Sequence, residues 1–323
     1  MNTSLPEHGF LNLNKLAGCT SRDTVDVVQK LARPAKVGHA GTLDPLATGV
    51  LVVAVGAATR LIEHVQSHSK SYVATFLLGR SSPSEDIECE VTVEPDPRRP
   101  TLTELQDALP RFFGTIWQTP PAFSALKVDG KRAYDLARRG KTVALDARPI
   151  EIHDLEILEY DYPTLKLRIE CGSGTYVRSL GRDLASAVGT AAVMSELVRT
   201  AVGPFRLEDS IGPAQLVDDR AGGQWRKWLK PLVLATAGLR QVELTEDEAR
   251  RIRHGQAVDD RWGLCETANA PLGKDQHLPE AEEQVGDGIT PQRWVGLDAL
   301  RQLVAILVPT AERRIRATLN FPS

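Results

Sequence analysis

The chain has 323 residues, of which 42% are hydrophobic and 25% charged, and its formal net charge is −3 at pH 7. This length is large for one hydrophobic core, so two domains are expected. No apolar run approaches the ~20 residues of a membrane-spanning helix, and the first eight residues lack the pattern of a secretory signal. The expected location is therefore the cytoplasm, with no membrane contact. The four cysteines include no C-x-x-C pair, so neither a disulfide framework nor a zinc site is expected.

Hydrophobic periodicity predicts strands and helices that alternate over the first two thirds of the chain. The predicted strands cover residues 9–15, 50–55, 70–79, 151–160, 164–171 and 193–202. One predicted helix starts after Thr20 or Ser21, either of which can cap it. Three others cover residues 58–66, 102–113 and 175–188. Strands joined both by hairpins and by helices indicate an α+β domain with a mixed, mainly antiparallel sheet and flanking helices.

Residues 37–49 place one acid in a glycine-bounded, largely apolar loop just before a strand. Pro45 biases Asp44 towards an extended backbone, and the apolar neighbours Leu43 and Leu46 would surround its carboxylate. A buried charge requires a partner. Two interpretations follow: an Asp-Pro turn in which the side chain caps a backbone N–H, or a carboxylate held for reaction.

The charge is unevenly distributed along the chain. The segment from Lys127 to Arg148 contains seven basic and three acidic residues. The segment from Glu85 to Asp107 contains eight acidic residues and two arginines. Affinity for phosphate depends on local basic surface rather than on total charge. The basic segment is therefore either a solvated surface or a clamp for a nucleic-acid backbone.

Six short motifs occur in a fixed order over residues 9–205. They are GHAGTLDPLATG at 38–49, KSY at 70–72, SALK at 124–127, GKRAY at 130–134, ARPI at 147–150 and GTYVR at 174–178. This series resembles the catalytic domain of the TruB family of tRNA pseudouridine synthases. The resemblance implies a catalytic domain over 1–237 with the pseudouridine synthase fold and an RNA-gripping insertion at 118–149. It also implies a small β-rich, PUA-like RNA-binding domain over 238–323, in which residues 267–292 form an insertion.

The resemblance implies that Asp44 is the catalytic nucleophile. It implies that Tyr72 and Leu197 pack against a flipped-out uracil, although sequence alone would place both in the core. His39 is expected to approach the base and assist its extrusion. Leu16 stands where the family usually shows proline, which puts the rigidity of that loop in doubt but not the chemistry.

Tyr176 and Arg178 are further expected contacts of the substrate. Both fall in the first turn of a predicted helix, where a cation opposes the helix dipole at a cost of ~0.5 kcal/mol. Such a placement indicates an anionic partner, either a nearby surface acid or, as the resemblance implies, Asp44. The residues expected to contact the RNA backbone are Lys127, Lys131, Arg132, Arg138, Arg139 and Lys141.

The function implied is the isomerisation of uridine 55 in the tRNA T arm to pseudouridine by a monomer with no obligatory protein partner. Isomerisation exchanges no electrons or groups, so no cofactor is expected. His64 and His68 are four residues apart but lack an evident third ligand, so no metal is expected either. Two alternatives are a guide-RNA-dependent synthase of the dyskerin branch and a non-catalytic tRNA-folding protein. The first usually has basic tails, and the second would not need Asp44, Tyr72 and Arg178.

Overall fold

The computed structural model of the protein describes residues 7–124, 127–128, 131–132, 145–267 and 292–321. From Gly9 to Asp218, the described residues form five α-helices and thirteen strands. The helices are α1 (Ser21–Ala32), α2 (Ile62–Ser67), α3 (Leu102–Ala108), α4 (Val177–Ala187) and α5 (Pro213–Asp218). The strands are β1 (Gly9–Lys15), β2 (Val37–His39), β3 (Thr48–Val55), β4 (Lys70–Leu78), β5 (Arg80–Ser81), β6 (Thr92–Val93), β7 (Gly114–Gln118), β8 (Lys127–Val128), β9 (Lys131–Arg132), β10 (Arg148–Asp161), β11 (Thr164–Cys171), β12 (Ala192–Val202) and β13 (Phe205–Arg206).

One large sheet organises this part of the molecule. Its strand order is β1-β3-β12-β4-β11-β10-β7, with β2 paired to β3 and β13 paired to β12. Within the described residues, β3 and β12 run parallel and every other pair in this sheet is antiparallel. The predicted α+β class and the mixed, mainly antiparallel sheet are therefore confirmed.

Strand β4 lies at the centre of the sheet, and its burial alternates as its sequence predicts. Tyr72, Ala74 and Phe76 are buried on the face that α4 covers. Gly181 of α4 is required by this packing, since a Cβ atom there would lie 2.0 Å from Cε1 of Phe76. This contact holds α4 closely against β4.

Helix starts follow from local sequence. Thr20 caps α1 and Thr101 caps α3, each through a capping box with the acid three residues later. The predicted helix over 102–113 is shorter than expected, because the α-helix ends at Ala108 and a 3₁₀ turn containing Pro110 follows. Helix α2 ends at Ser67, so His64 lies within it and His68 lies just beyond its end.

The remaining described residues form a second, β-rich region. Its elements are β14 (Arg240–Glu243), α6 (Glu246–Arg253), β15 (Val258–Asp259), α7 (Leu264–Thr267), β16 (Trp294–Leu297), β17 (Leu303–Pro309) and β18 (Arg314–Asn320). The strand order is β14-β16-β17-β18-β15. Val295 and Ile306 share a buried cluster with Phe10 and Val52 of the first sheet, and Arg60 donates to the Asn320 carbonyl at 2.6 Å. The two sheets therefore pack through a common apolar core.

Much of the two predicted insertions lies outside the described residues. In the first, β8 and β9 form a short antiparallel pair that contains Lys127, Lys131 and Arg132, whereas Arg138, Arg139 and Lys141 are not described. In the second, residues 268–291 are not described. The division at residues 237–238 stays a prediction. No helix among the described residues is long and apolar enough to cross a membrane.

Candidate active site

A cavity of about 560 Å³ opens where the loop before β3 meets β4, β12 and the start of α4. Its size is within the roughly 300–1,000 Å³ of sites that enclose a small organic ligand. It brings together five of the six residues predicted to act on the substrate: Asp44, Tyr72, Tyr176, Arg178 and Leu197. His39 does not line this cavity. It ends β2, where its Nδ1 atom is buried without a hydrogen-bond partner among the described residues.

The Asp44 loop is fixed from one side by Lys15, the last residue of β1. This lysine is fully buried, and its Nζ atom donates to the carbonyls of Leu16 at 3.0 Å, Pro45 at 3.1 Å and Ala47 at 2.6 Å. All three N–H donors of the ammonium are thus used on backbone. Burial lowers the pKa of Lys15, and the negative charge of Asp44 opposes that shift.

Arg199 of β12 holds the same loop from the other side. Its Nε atom donates to the carbonyl of Val50 at 2.7 Å, and its Nη2 atom donates to that of Gly41 at 3.2 Å. At Gly49, φ is +97° and a Cβ atom would lie 2.3 Å from the Arg199 carbonyl oxygen, so only glycine fits this contact. Arg199 is 2% exposed, and its guanidinium holds the backbone of the loop in place.

The turn that the Asp-Pro pair predicts is present, because the N–H of Ala47 donates to the Asp44 carbonyl at 3.0 Å. The Asp44 side chain faces Arg178. Nε of Arg178 lies 3.0 Å from Oδ2 of Asp44, and Nη2 donates to Oδ1 at 3.3 Å. The two groups form a forked, charge-assisted pair that orients the carboxylate.

Arg178 is itself fixed by contacts on its remaining N–H groups. Nη1 donates to the carbonyl of Ser84 at 2.7 Å and lies 3.5 Å from Oδ2 of Asp86. Nη2 also donates to the carbonyl of Phe123 at 3.1 Å. With the Asp86 side chain 2% exposed and that of Arg178 6% exposed, the arginine has little freedom to leave Asp44.

The electrostatics of Asp44 reflect two opposing effects. Burial among Leu43, Leu46 and the cavity wall raises the pKa of its carboxyl, and Arg178 acts against that rise. The nearby negative charge of Asp86 raises it further. One third of the Asp44 side chain remains exposed, so its carboxylate is both aligned by an arginine and open to the cavity.

Apolar and aromatic groups complete the wall. Tyr72 is paired with Arg199 in the β4–β12 register, and Leu197 with Ala74. Tyr72 and Leu197 are 8% and 6% exposed, and burial raises the pKa of the Tyr72 phenol. Tyr176, at the N-cap of α4, lies under the guanidinium of Arg148 at 5.1 Å. Flat and apolar surfaces of this kind suit an unstacked base.

Sequence reasoning missed Lys15, Arg199 and Asp86. Lys15 and Arg199 carried a usable signal, since each is a charged residue at an inward position of a predicted strand. Asp86 carried none, because it lies in an acid-rich segment. His64 and His68 are half-buried rather than fully exposed, and no group of three or more His, Cys, Asp or Glu residues in the described part of the chain could hold a metal ion.

Comparison with known proteins gives the same assignment as the motifs. Residues 29–177 match the TruB family pseudouridylate synthase (N terminal domain). The tRNA pseudouridine synthase B of Rhodopirellula baltica is 39% identical, over 84% of this chain and 79% of its own. The tRNA pseudouridine synthase B of a Nostoc species is 40% identical, over 78% of this chain and 86% of its own length.

A solved structure shares the fold. An H/ACA RNP bound to a substrate RNA containing 2′-deoxyuridine superposes with a TM-score of 0.69 and 23% identity, and the match covers 98% of this chain and 86% of that one. At this identity the likeness concerns the fold alone. The extent of identity to the two bacterial relatives is decisive: the chain belongs to the TruB family of pseudouridylate synthases.

Proposed function

We propose that the protein converts uridine 55 in the T arm of tRNA to pseudouridine, with Asp44 as the nucleophile. The observation that carries this proposal is the placement of Asp44. Its carboxylate is exposed to a cavity that aromatic and apolar side chains line, and a buried arginine aligns it. The relatives' shared name, tRNA pseudouridine synthase B, supports tRNA as the substrate.

The reaction is an isomerisation that this cavity suits. The N1–C1′ bond breaks, the uracil turns, and a C5–C1′ bond forms, while a proton leaves C5 and another binds N1. A carboxylate can add either to C1′ or to the base ring, and each route needs it ionised and directed. Arg178 supplies both conditions, because it favours the charged form of Asp44 and fixes its two oxygens.

The uridine must leave its folded RNA arm before it reaches Asp44. Flipping a base out costs a few kcal/mol, so the enzyme must offset that cost with contacts to the base. Tyr72 and Leu197, which line the cavity, are proposed to pack on the ring, and Tyr176 lines the same cavity. His39, outside the cavity, is proposed to assist extrusion, as the family resemblance implies.

Two regions are proposed to bind RNA around the cavity. The first is the basic segment that contains Lys127, Lys131 and Arg132. The second is the β-rich C-terminal region, as a PUA-like module. This arrangement requires no protein partner, and we propose that the protein acts as a monomer in the cytoplasm.

The decisive experiment is to incubate the purified protein with one unmodified tRNA transcript and map pseudouridine. We expect modification at position 55. Asp44→Asn should abolish it while tRNA affinity stays within about tenfold, or ~1.4 kcal/mol. Asp183→Asn is a matched control, since Asp183 pairs with Arg182 away from the cavity, and it should retain turnover. Measurable turnover by Asp44→Asn would contradict the assignment of the nucleophile.

A further inference from the structure

Two cations of the cavity have no part in the proposed chemistry. Lys70 is the first residue of β4, and Arg148 is the first residue of β10. Both line the cavity together with the loop Gly172, Ser173, Gly174 and Thr175. This loop lacks the sequence pattern of known phosphate-binding loops, yet it lies beside two positive charges.

Lys70 is a buried ammonium whose donors are mostly unused. The residue is 8% exposed, and its Nζ atom donates to the carbonyl of Gln66. That is its one hydrogen bond to the described residues, where an ammonium has three N–H donors. Lys15 shows the contrast, since its three donors all reach carbonyls.

No carboxylate of the described residues lies within 4.0 Å of the Lys70 ammonium, although Glu63 lines the same cavity. A buried charge without a counter-charge is costly. A ligand that supplies negative charge would remove that cost. The unused donors of Lys70 are therefore available to a ligand in the cavity.

Arg148 is also only partly used. Its Nη2 atom donates to the Gly174 carbonyl at 2.7 Å, and its guanidinium lies over the ring of Tyr176. Its Nε atom is buried and has no partner among the described residues. These contacts hold the arginine at the cavity wall and leave donors for a further group.

Among the described residues, the other two cations that line the cavity, Arg178 and Arg199, already have partners. Arg178 faces Asp44 and Asp86, and Arg199 binds backbone carbonyls. The uncompensated positive charge is therefore at Lys70 and Arg148. Uracil is neutral, whereas the sugar-phosphate backbone that carries it is anionic, and phosphate is the group that lysine and arginine bind in RNA.

We propose that Lys70 and Arg148 form a phosphate subsite, which binds a phosphodiester of the flipped-out nucleotide and so sets the depth at which its base enters the cavity. The inference rests on the proposed function only in taking RNA as the ligand. It assigns these residues to binding and positioning, with no step in bond exchange. A cavity of this volume accommodates more than a pyrimidine ring, as the subsite requires.

The ionisation of Lys70 gives the subsite a distinctive pH dependence. Burial lowers the pKa of Lys70 to about 8, and a bound phosphate would favour the charged form. Affinity for RNA should therefore fall as the pH rises through about 8. Two ionisable neighbours of Lys70 should not produce the same pH dependence, because burial lowers the pKa of His68 and raises that of Cys171 to about 11. The charged side chains of Glu63, Arg148 and Arg199 line the same cavity.

The test uses the full chain and a T-arm stem-loop in which single phosphates are replaced by neutral methylphosphonates. Wild-type protein should lose about tenfold or more in affinity at one phosphate next to the target uridine. Lys70→Met should bind the unmodified RNA weakly and lose nothing further at that position. Lys70→Arg should bind well and keep its affinity at pH 9. Lys166→Met removes an exposed lysine of β11 paired with Glu159, and it serves as the control.

Wild-type affinity in Lys70→Met would overturn the subsite. So would equal methylphosphonate losses in wild type and Lys70→Met, since the lysine would then not contact the phosphate. Thermal unfolding of each variant shows whether it is folded, and Lys70→Arg tests the subsite without loss of charge. These are binding measurements, so absence of pseudouridine formation by the wild type would refute the proposed function without deciding this inference.

Discussion

Replacing Arg178 tests whether the forked pair with Asp44 is needed for turnover. Arg178→Met removes both contacts to Asp44, at 3.0 and 3.3 Å, and the contact to Asp86 at 3.5 Å. It leaves the Asp86 side chain, 2% exposed, as an unpaired buried charge. Breaking a buried pair in this way costs about 3–5 kcal/mol of unfolding free energy. The loss of a preorganised group at the reacting carboxylate should lower kcat by about 10²–10³-fold.

Arg178→Lys separates charge from geometry. One ammonium keeps the positive charge but cannot form the fork that reaches both carboxylates. We expect it to restore much of the stability and little of kcat. Arg182→Met is the matched control, because Arg182 lies one turn further along α4, a third exposed, and pairs with Glu85 and Asp183. Its cost should be near ~1 kcal/mol, with kcat unchanged.

The assays are urea denaturation for stability and steady-state pseudouridine formation at saturating tRNA for kcat. Measurement well below the unfolding midpoint ensures that lost activity is not lost folded protein. Wild-type kcat in Arg178→Lys would refute the reasoning, because charge alone would then suffice. Equal loss in Arg178→Lys and Arg182→Met would show that the fork to Asp44 has no special role.

Three further predictions concern Asp44, Gly181 and the basic segment. Burial and the charge of Asp86 raise the pKa of Asp44, so kcat/KM should fall in acid with a midpoint above the ~3.9 of a free aspartate. Asp86→Asn should move that midpoint to lower pH. An equal midpoint in the wild type and Asp86→Asn would contradict this prediction. Gly181→Ala should lower the free energy of unfolding, measured by urea denaturation, by about 1–3 kcal/mol, because the new Cβ atom clashes with Phe76. Gly212→Ala should change it little, because a Cβ atom there has no non-neighbouring atom within 4 Å. Triple neutralisation in the basic segment should flatten the salt dependence of tRNA binding by up to about three slope units, with kcat at saturating RNA nearly unchanged; the residues are Arg138, Arg139 and Lys141.

The sequence predicts those parts of the fold that depend on local pattern. Alternation over 70–79 predicts β4 and its buried face, and a cap at Thr20 or Ser21 predicts the start of α1. The end of the helix after Thr101 was predicted too late, because Pro110 within its last turns was not weighed against the apolar periodicity. Local patterns thus fix the type of an element better than its end.

The site was predictable only where a motif or a helix position marked it. Asp44 and Arg178 are 134 residues apart in sequence, and the unfavourable helix position of Arg178 indicates an anion without naming it. The contact of Arg178 to Asp86 has no local signature at all. The sequence shows that Lys15 and Arg199 occupy buried strands, but not that both reach carbonyls of the same loop.

The cations around the Asp44 loop solve a problem that any buried nucleophilic carboxylate poses. A dry, apolar loop favours the protonated acid, yet a counter-charge bound on every side of the carboxylate would block attack. Here Lys15 and Arg199 bind the carbonyls of the loop, and Lys15 still helps to lower the pKa of Asp44. Among the described residues, Arg178 alone contacts the carboxylate directly, and one third of the Asp44 side chain stays exposed. Positive charge behind the backbone therefore keeps the nucleophile fixed and ionised while it stays accessible.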